Sequence, residues 1–191
     1  MICNTAFRAD RLRAATGIVL LALGVLTGSM PVTAAADGLD TSAEYIVAFS
    51  RYVQWAGEDQ LNAWNVCFVG EIPRDQERLY ADRTVRNKSF VVRSIKTNAS
   101  LGDCQILDLT TANLETVTRI LARSRRMPIL TVGSGSDFCS LGGQICLHMD
   151  KRAKSPQKFE VNLSNIRESK LQVSARLLAI GLVRNPGEET R

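Results

Sequence analysis

The chain is 191 residues long with a formal net charge of +5. That charge is too mild for a nucleic-acid-binding protein, whose footprint is a dense basic patch. The length suits one domain with a full core, and no repeat, low-complexity segment or second domain stands out.

The N-terminus reads as a signal peptide. Arg8, Arg11 and Arg13 precede an apolar or small run from Ala14 to Gly28, and Ala34-Ala35-Ala36 offers a small-residue cleavage site. The run falls short of the ~20 apolar residues a membrane-spanning helix needs. Residues 1–36 are therefore expected to be cleaved, leaving residues 37–191 as an exported domain that is not membrane-embedded. Their removal takes away three arginines and one aspartate, so the charge falls from +5 to +3.

In the mature chain, Thr41 or Ser42 can cap a first helix with Glu44 in its first turn. Tyr45, Ala48, Phe49, Tyr52 and Val53 recur at helical spacing, and Trp55 follows. Such an aromatic stripe serves a core or anchors a partner. Trp64-Asn-Val-Cys-Phe-Val-Gly70 is a short apolar run that predicts a buried strand. Pro73 introduces a polar helix from Arg74 to Arg83. Ser89 to Ile95 predicts the next strand, Asn98 to Asp103 a loop, and Cys104 to Leu109 a third strand.

Thr110 or Thr111 is placed to cap a helix from Asn113 to Arg125, with Leu114, Val117, Ile120 and Leu121 on one face. Pro128 to Val132 is an apolar strand of the kind parallel sheets bury. Gly133 to Asp137 reads as a loop. Gly143 to Met149 and Lys158 to Leu163 form two further strands, joined by a basic turn. A helical turn spans Asn162 to Glu168. Ser174 to Val183 carries Leu177, Leu178, Ile180 and Leu182 and predicts a last helix, stopped by Asn185-Pro186-Gly187. Strands alternating with helices give an α/β class: a single layered domain with a mixed, largely parallel sheet flanked by helices.

Cys3 leaves with the leader, so Cys67, Cys104, Cys139 and Cys146 remain. An even number in an oxidising compartment indicates two disulfides, and four cysteines allow three pairings. The short, glycine-containing loop favours Cys139–Cys146 as a disulfide-closed hairpin, which leaves Cys67–Cys104. A zinc site built on Cys139, Cys146 and His148 lacks the usual ligand spacing. A redox-active pair would show Cys-x-x-Cys before a helix, and none exists. His148, the only histidine, stands without a nucleophile elbow, because Gly133-Ser134-Gly135-Ser136 resembles one only superficially. No catalytic residue, cofactor site or metal site emerges, and the chain is read as a non-enzyme.

Several segments in one order carry a resemblance. They are Phe49-Ser-Arg-Tyr-Val-Gln-Trp55, Trp64 to Gly70, Cys104-Gln-Ile-Leu107, Phe138-Cys139 with Gly143-Gln-Ile-Cys146, Phe159-Glu-Val-Asn-Leu163, and Arg176-Leu-Leu-Ala179. Together they resemble the YfiR family of periplasmic proteins over essentially all of the mature chain. Two departures stand out: Trp55-Ala56 where the family often has Trp-Pro, and a long basic turn from Asp150 to Gln157.

The resemblance implies a periplasmic negative regulator. Such a protein binds the periplasmic sensor part of an inner-membrane diguanylate cyclase and inhibits cyclic di-GMP synthesis. An outer-membrane peptidoglycan-binding lipoprotein sequesters it, which releases the cyclase and favours biofilm. The resemblance further implies a homodimer and the same two disulfides, linked to redox response. Contact residues are expected among the aromatic stripe (Phe49, Tyr52, Trp55), the cysteine segment and following strand (Phe138, His148, Phe159, Asn162), and Arg167 and Arg176. The competing functions are an exported small-ligand sensor and a cell-wall hydrolase.

Overall fold

The computed structural model describes residues 41–149 and 156–184. The expected leader, the basic turn at 150–155 and the tail after residue 184 lie outside the described residues.

Helix α1 spans Ser42–Ser50. Thr41 caps it: its hydroxyl accepts from the Glu44 amide at 3.2 Å, and the Glu44 carboxylate accepts from the Thr41 amide at 3.1 Å. The helical spacing of the sequence runs on to Val53, yet the helix stops at Ser50. Arg86 supplies the reason. Its guanidinium donates at 2.7 Å to the Ser50 carbonyl, an acceptor that the helix end leaves open, and at 3.1 Å to the Val53 carbonyl of the strand that follows. Val53–Gln54 then form a short strand, β1.

The chain continues through β2 (Ala63–Val69), α2 (Gln76–Tyr80), β3 (Thr84–Val85) and β4 (Lys88–Ile95). Next come β5 (Ile106–Asp108), α3 (Leu114–Ser124), β6 (Leu130–Ser134), α4 (Ser136–Ser140) and β7 (Ile145–Met149). The last elements are β8 (Pro156–Asn162), α5 (Leu163–Glu168), β9 (Gln172–Val173), α6 (Ala175–Ile180) and β10 (Leu182–Arg184).

Eight strands form one mixed sheet in the order β10-β8-β7-β6-β5-β2-β4-β3. The stretch β4-β2-β5-β6-β7 is parallel throughout, and β10 also runs parallel to β8. Antiparallel pairs occur at β7–β8 and β3–β4. Since β4 and β5 lie on opposite sides of β2, the winding reverses between β2 and β5. A second, two-stranded sheet pairs β1 with β9, Val53 opposite Val173.

Alternation along β2 divides the interior. Trp64, Val66 and Phe68 enter one apolar cluster with α1, while Cys67 points to the other cluster with Val117, Ile120 and Leu121 of α3. Each large side chain fully removed from water contributes about 1.5–3 kcal/mol before entropic costs. Trp64 also donates its indole N–H to the Val85 carbonyl at 2.9 Å, and the Arg86 guanidinium stacks 4.9 Å above its ring.

Several local expectations change. Asn113, not Thr110 or Thr111, caps α3, accepting from the Thr116 amide at 2.9 Å. Thr110 is engaged instead by Asp108. The expected loop at Gly133–Asp137 is the end of β6 followed by α4. The hairpin of Arg86 and Asn87, both at positive φ, adds β3, which two residues of strand pattern did not reveal. The last helix ends at Ile180, and Leu182–Arg184 leave it as a strand. A Cβ on Gly181 would overlap the Phe159 ring, so glycine is required where the chain turns from helix to strand.

Candidate functional site

The two disulfides are Cys67–Cys104 and Cys139–Cys146, each with Cα atoms 5.8 Å apart. Cys67 lies in β2 and Cys104 just before β5, so the first bond joins neighbouring parallel strands. The second corrects the disulfide-closed hairpin. Cys139 belongs to α4 and Cys146 to β7, so the bond pins a short helix onto the sheet. The true hairpin follows, between β7 and β8.

A polar lattice surrounds that corner. The Asn162 side chain donates to the Cys139 carbonyl at 3.2 Å and accepts from the Asn165 amide at 3.2 Å, capping α5. Asn165 donates to the Gly143 carbonyl at 3.3 Å. Gln144 accepts from the Thr131 amide at 3.0 Å and donates to the Ser169 hydroxyl at 2.9 Å, while its own amide donates to the Thr131 hydroxyl at 3.1 Å. Buried amide side chains thus bond β6, β7, β8, α4 and α5 into one unit, with their polar atoms satisfied as low dielectric demands. The Phe138 ring of α4 lies against Gly133 and Gly143, and a Cβ on either glycine would overlap it.

The expected contact residues divide by exposure. Phe49, Trp55, Phe138, Phe159 and Asn162 are buried. Phe49 and Phe159 meet edge to face with ring centroids 4.9 Å apart, and Tyr45 closes the cluster at 5.7 and 6.3 Å. Trp55 packs on Trp64 at 4.8 Å. In this chain the aromatic stripe is therefore interior packing between α1 and the sheet. Tyr52 and His148 are half-buried, and Arg167 and Arg176 are exposed. His148 Nε2 lies 3.5 Å from Glu160 Oε2, across the β7–β8 pair. These four do not converge on one point: Tyr52 follows α1, His148 is on β7, and Arg167 and Arg176 are on α5 and α6.

A second polar feature surrounds Asp108, which the sequence offered only as one of a possible carboxylate pair with Asp103. Asp108 ends β5 beside the winding reversal and is buried. Its carboxylate accepts from the Thr110 amide at 3.0 Å, the Thr110 hydroxyl at 2.6 Å and the Ser42 hydroxyl of α1 at 3.4 Å. Burial pushes its pKa above the ordinary carboxylate range, against the opposing pull of those hydrogen bonds. Buried Tyr80 of α2 has its pKa pushed well up, first by burial and then by the charge of Asp108. Only its place at the end of an apolar strand marked Asp108, a signal shared by many structural aspartates.

Among the described residues there is no group of three or more His, Cys, Asp or Glu arranged to hold a metal. No helix there is long and apolar enough to cross a membrane.

A family model described as YfiR/HmsC-like matches residues 40–181, from α1 through α6. No curated protein matches the chain. Among solved structures, the chain is similar to an ABC domain in complex with L-Trp from Streptococcus pneumonia, at 12% identity and a TM-score of 0.46. The likeness covers 64% of this chain and 56% of that one, so this chain spans little more than half of it.

Proposed function

The chain belongs to the YfiR/HmsC-like family, and from that premise we propose that it represses an inner-membrane diguanylate cyclase. The family is one of periplasmic regulators of diguanylate cyclases, and its members regulate rather than catalyse. The match across residues 40–181 is the observation that carries the reading.

In this reading the leader 1–36 is cleaved on export and the mature domain acts in the periplasm. There it binds the cyclase's periplasmic sensor domain and lowers cyclic di-GMP synthesis. An outer-membrane peptidoglycan-binding lipoprotein sequesters it, the cyclase is released, and biofilm growth follows. The active form is a homodimer. Repression of this kind needs no chemistry. It needs higher affinity for the inactive sensor conformation than for the active one, and the population shift equals that difference. Tyr52, His148, Arg167 and Arg176 are the surface residues that would touch the partner, while the disulfide-pinned corner keeps its shape.

The test is capture of the periplasmic sensor domain of a diguanylate cyclase from the same genome by purified protein in oxidised and reduced states. Binding at micromolar concentration or tighter is expected, with a fall in cyclic di-GMP output when both proteins are expressed together. No capture in either redox state would sink the reading.

A further inference from the structure

The C-terminal end of α3 carries an unusual concentration of cations. Arg119, Arg123, Arg125 and Arg126 fall within one short stretch. Arg119 is paired with Glu115 along the helix at 2.6 Å. Arg123 turns its fork onto the Thr97 and Ala99 carbonyls, which hold the loop but leave its charge uncompensated. Arg125 and Arg126 share a single carboxylate, Glu168 of α5, at 2.9 and 3.4 Å. Two guanidiniums therefore share one carboxylate, and the third is held by carbonyls alone.

They also line a cleft. Ala122, Arg123, Arg125, Arg126 and Met127 line an open surface depression of about 430 Å3. Arg125 and Arg126 are 69% and 81% exposed, so their pairing with Glu168 adds little stability. Both contacts to Glu168 use Nε, one of the five donors on each guanidinium. The forks are thus poised for an oxyanion with more oxygens than a carboxylate offers. A phosphate group can take a bidentate bond from one fork and still meet the other.

We propose that the Arg123–Arg125–Arg126 cleft is a binding site for a phosphate oxyanion, with Glu168 as the internal anion that the ligand displaces. A phosphoryl group can come from an anionic lipid headgroup or from a small soluble phosphate. The chemistry of recognition is the same. The inference rests on the cleft alone and stands whether or not the chain represses a cyclase.

The test uses protein purified from a periplasmic extract. Inorganic phosphate is titrated by calorimetry, and sedimentation is measured with vesicles of mixed anionic and zwitterionic phospholipid, against zwitterionic vesicles alone. Binding is expected in at least one arm. Vesicle binding without phosphate binding identifies a lipid headgroup, and phosphate binding alone identifies a soluble ligand. The double variant Arg125→Ala, Arg126→Ala should weaken that binding by about 25-fold, on the order of fivefold for each basic residue. Glu168→Gln should strengthen it, because the competing anion is gone. The double variant Arg74→Ala, Arg78→Ala removes the same charge from the other end of the sheet and should change binding by less than about twofold. Binding in neither arm, or equal losses in the two double variants, overturns the proposal. All these side chains are at least partly exposed, and a thermal melt of each variant confirms that it is folded.

Discussion

Asp108 ends a strand whose three residues are all buried. Its carboxylate meets the first residue of α1, where the helix dipole favours negative charge. Burial opposes that charge and wins, because the pKa is raised. The sign of the pH dependence follows. A raised carboxyl pKa means the folded state holds the proton more tightly than the unfolded chain. The stability this provides is complete below the unfolded value of about 3.9 and is lost as pH rises through the raised folded value. Asp108→Asn should abolish that loss and gain on the parent as pH rises toward neutral. Denaturation midpoints measured across this range check it. Parallel curves, with the variant the less stable, would show that the ionised form is the one the fold requires.

Among the elements, the two disulfides do different work. Cys67–Cys104 closes a loop of 37 residues and Cys139–Cys146 one of 7. On the chain-entropy model these closures contribute about 4 and about 2.5 kcal/mol. Replacing Cys67 and Cys104 by serine should therefore lower Tm more than replacing Cys139 and Cys146, and equal or reversed shifts would refute the loop-length argument. Loss of the shorter bond should instead loosen α4 locally, seen as faster amide exchange there. Gly143→Ala tests the same corner from the packing side. Its new methyl would strike the Phe138 ring, and a loss of about 3 kcal/mol is expected, the upper end for overpacking. A loss under about 1 kcal/mol would mean that α4 can shift without cost.

For the whole molecule, the layered α/β architecture, the run of parallel strands and both cysteine pairs were legible in the sequence. The reason is that β2, β4, β5 and β6 are apolar or β-branched runs bounded by turn residues, the strongest local signal a strand gives. Strands of two or three residues such as β1, β3, β9 and β10 are too short to show alternation, and tertiary pairing alone creates them. The aromatic stripe illustrates another limit. Helical spacing placed Tyr45 and Phe49 on one face, yet only the position of Phe159 on β8, 110 residues after Phe49, shows that this face is covered. Asn162 was noticed as part of a strand motif, while its work as cap and cross-link depends on contacts distant in sequence. The arginine cleft was missed because two of its cations meet Glu168 of α5, far along the chain.

The small β1–β9 sheet has a temporal consequence. Val53 is made near the start of the domain and its ladder partner Val173 near the end, and the Ser174 amide donates back to the Tyr52 carbonyl at 2.9 Å. As the chain emerges N-terminus first, the exit of α1 waits for almost the whole polypeptide before it can close. A chain that ends before residue 172 thus lacks the partner of β1, and the exit of α1 is left to the Arg86 bonds alone.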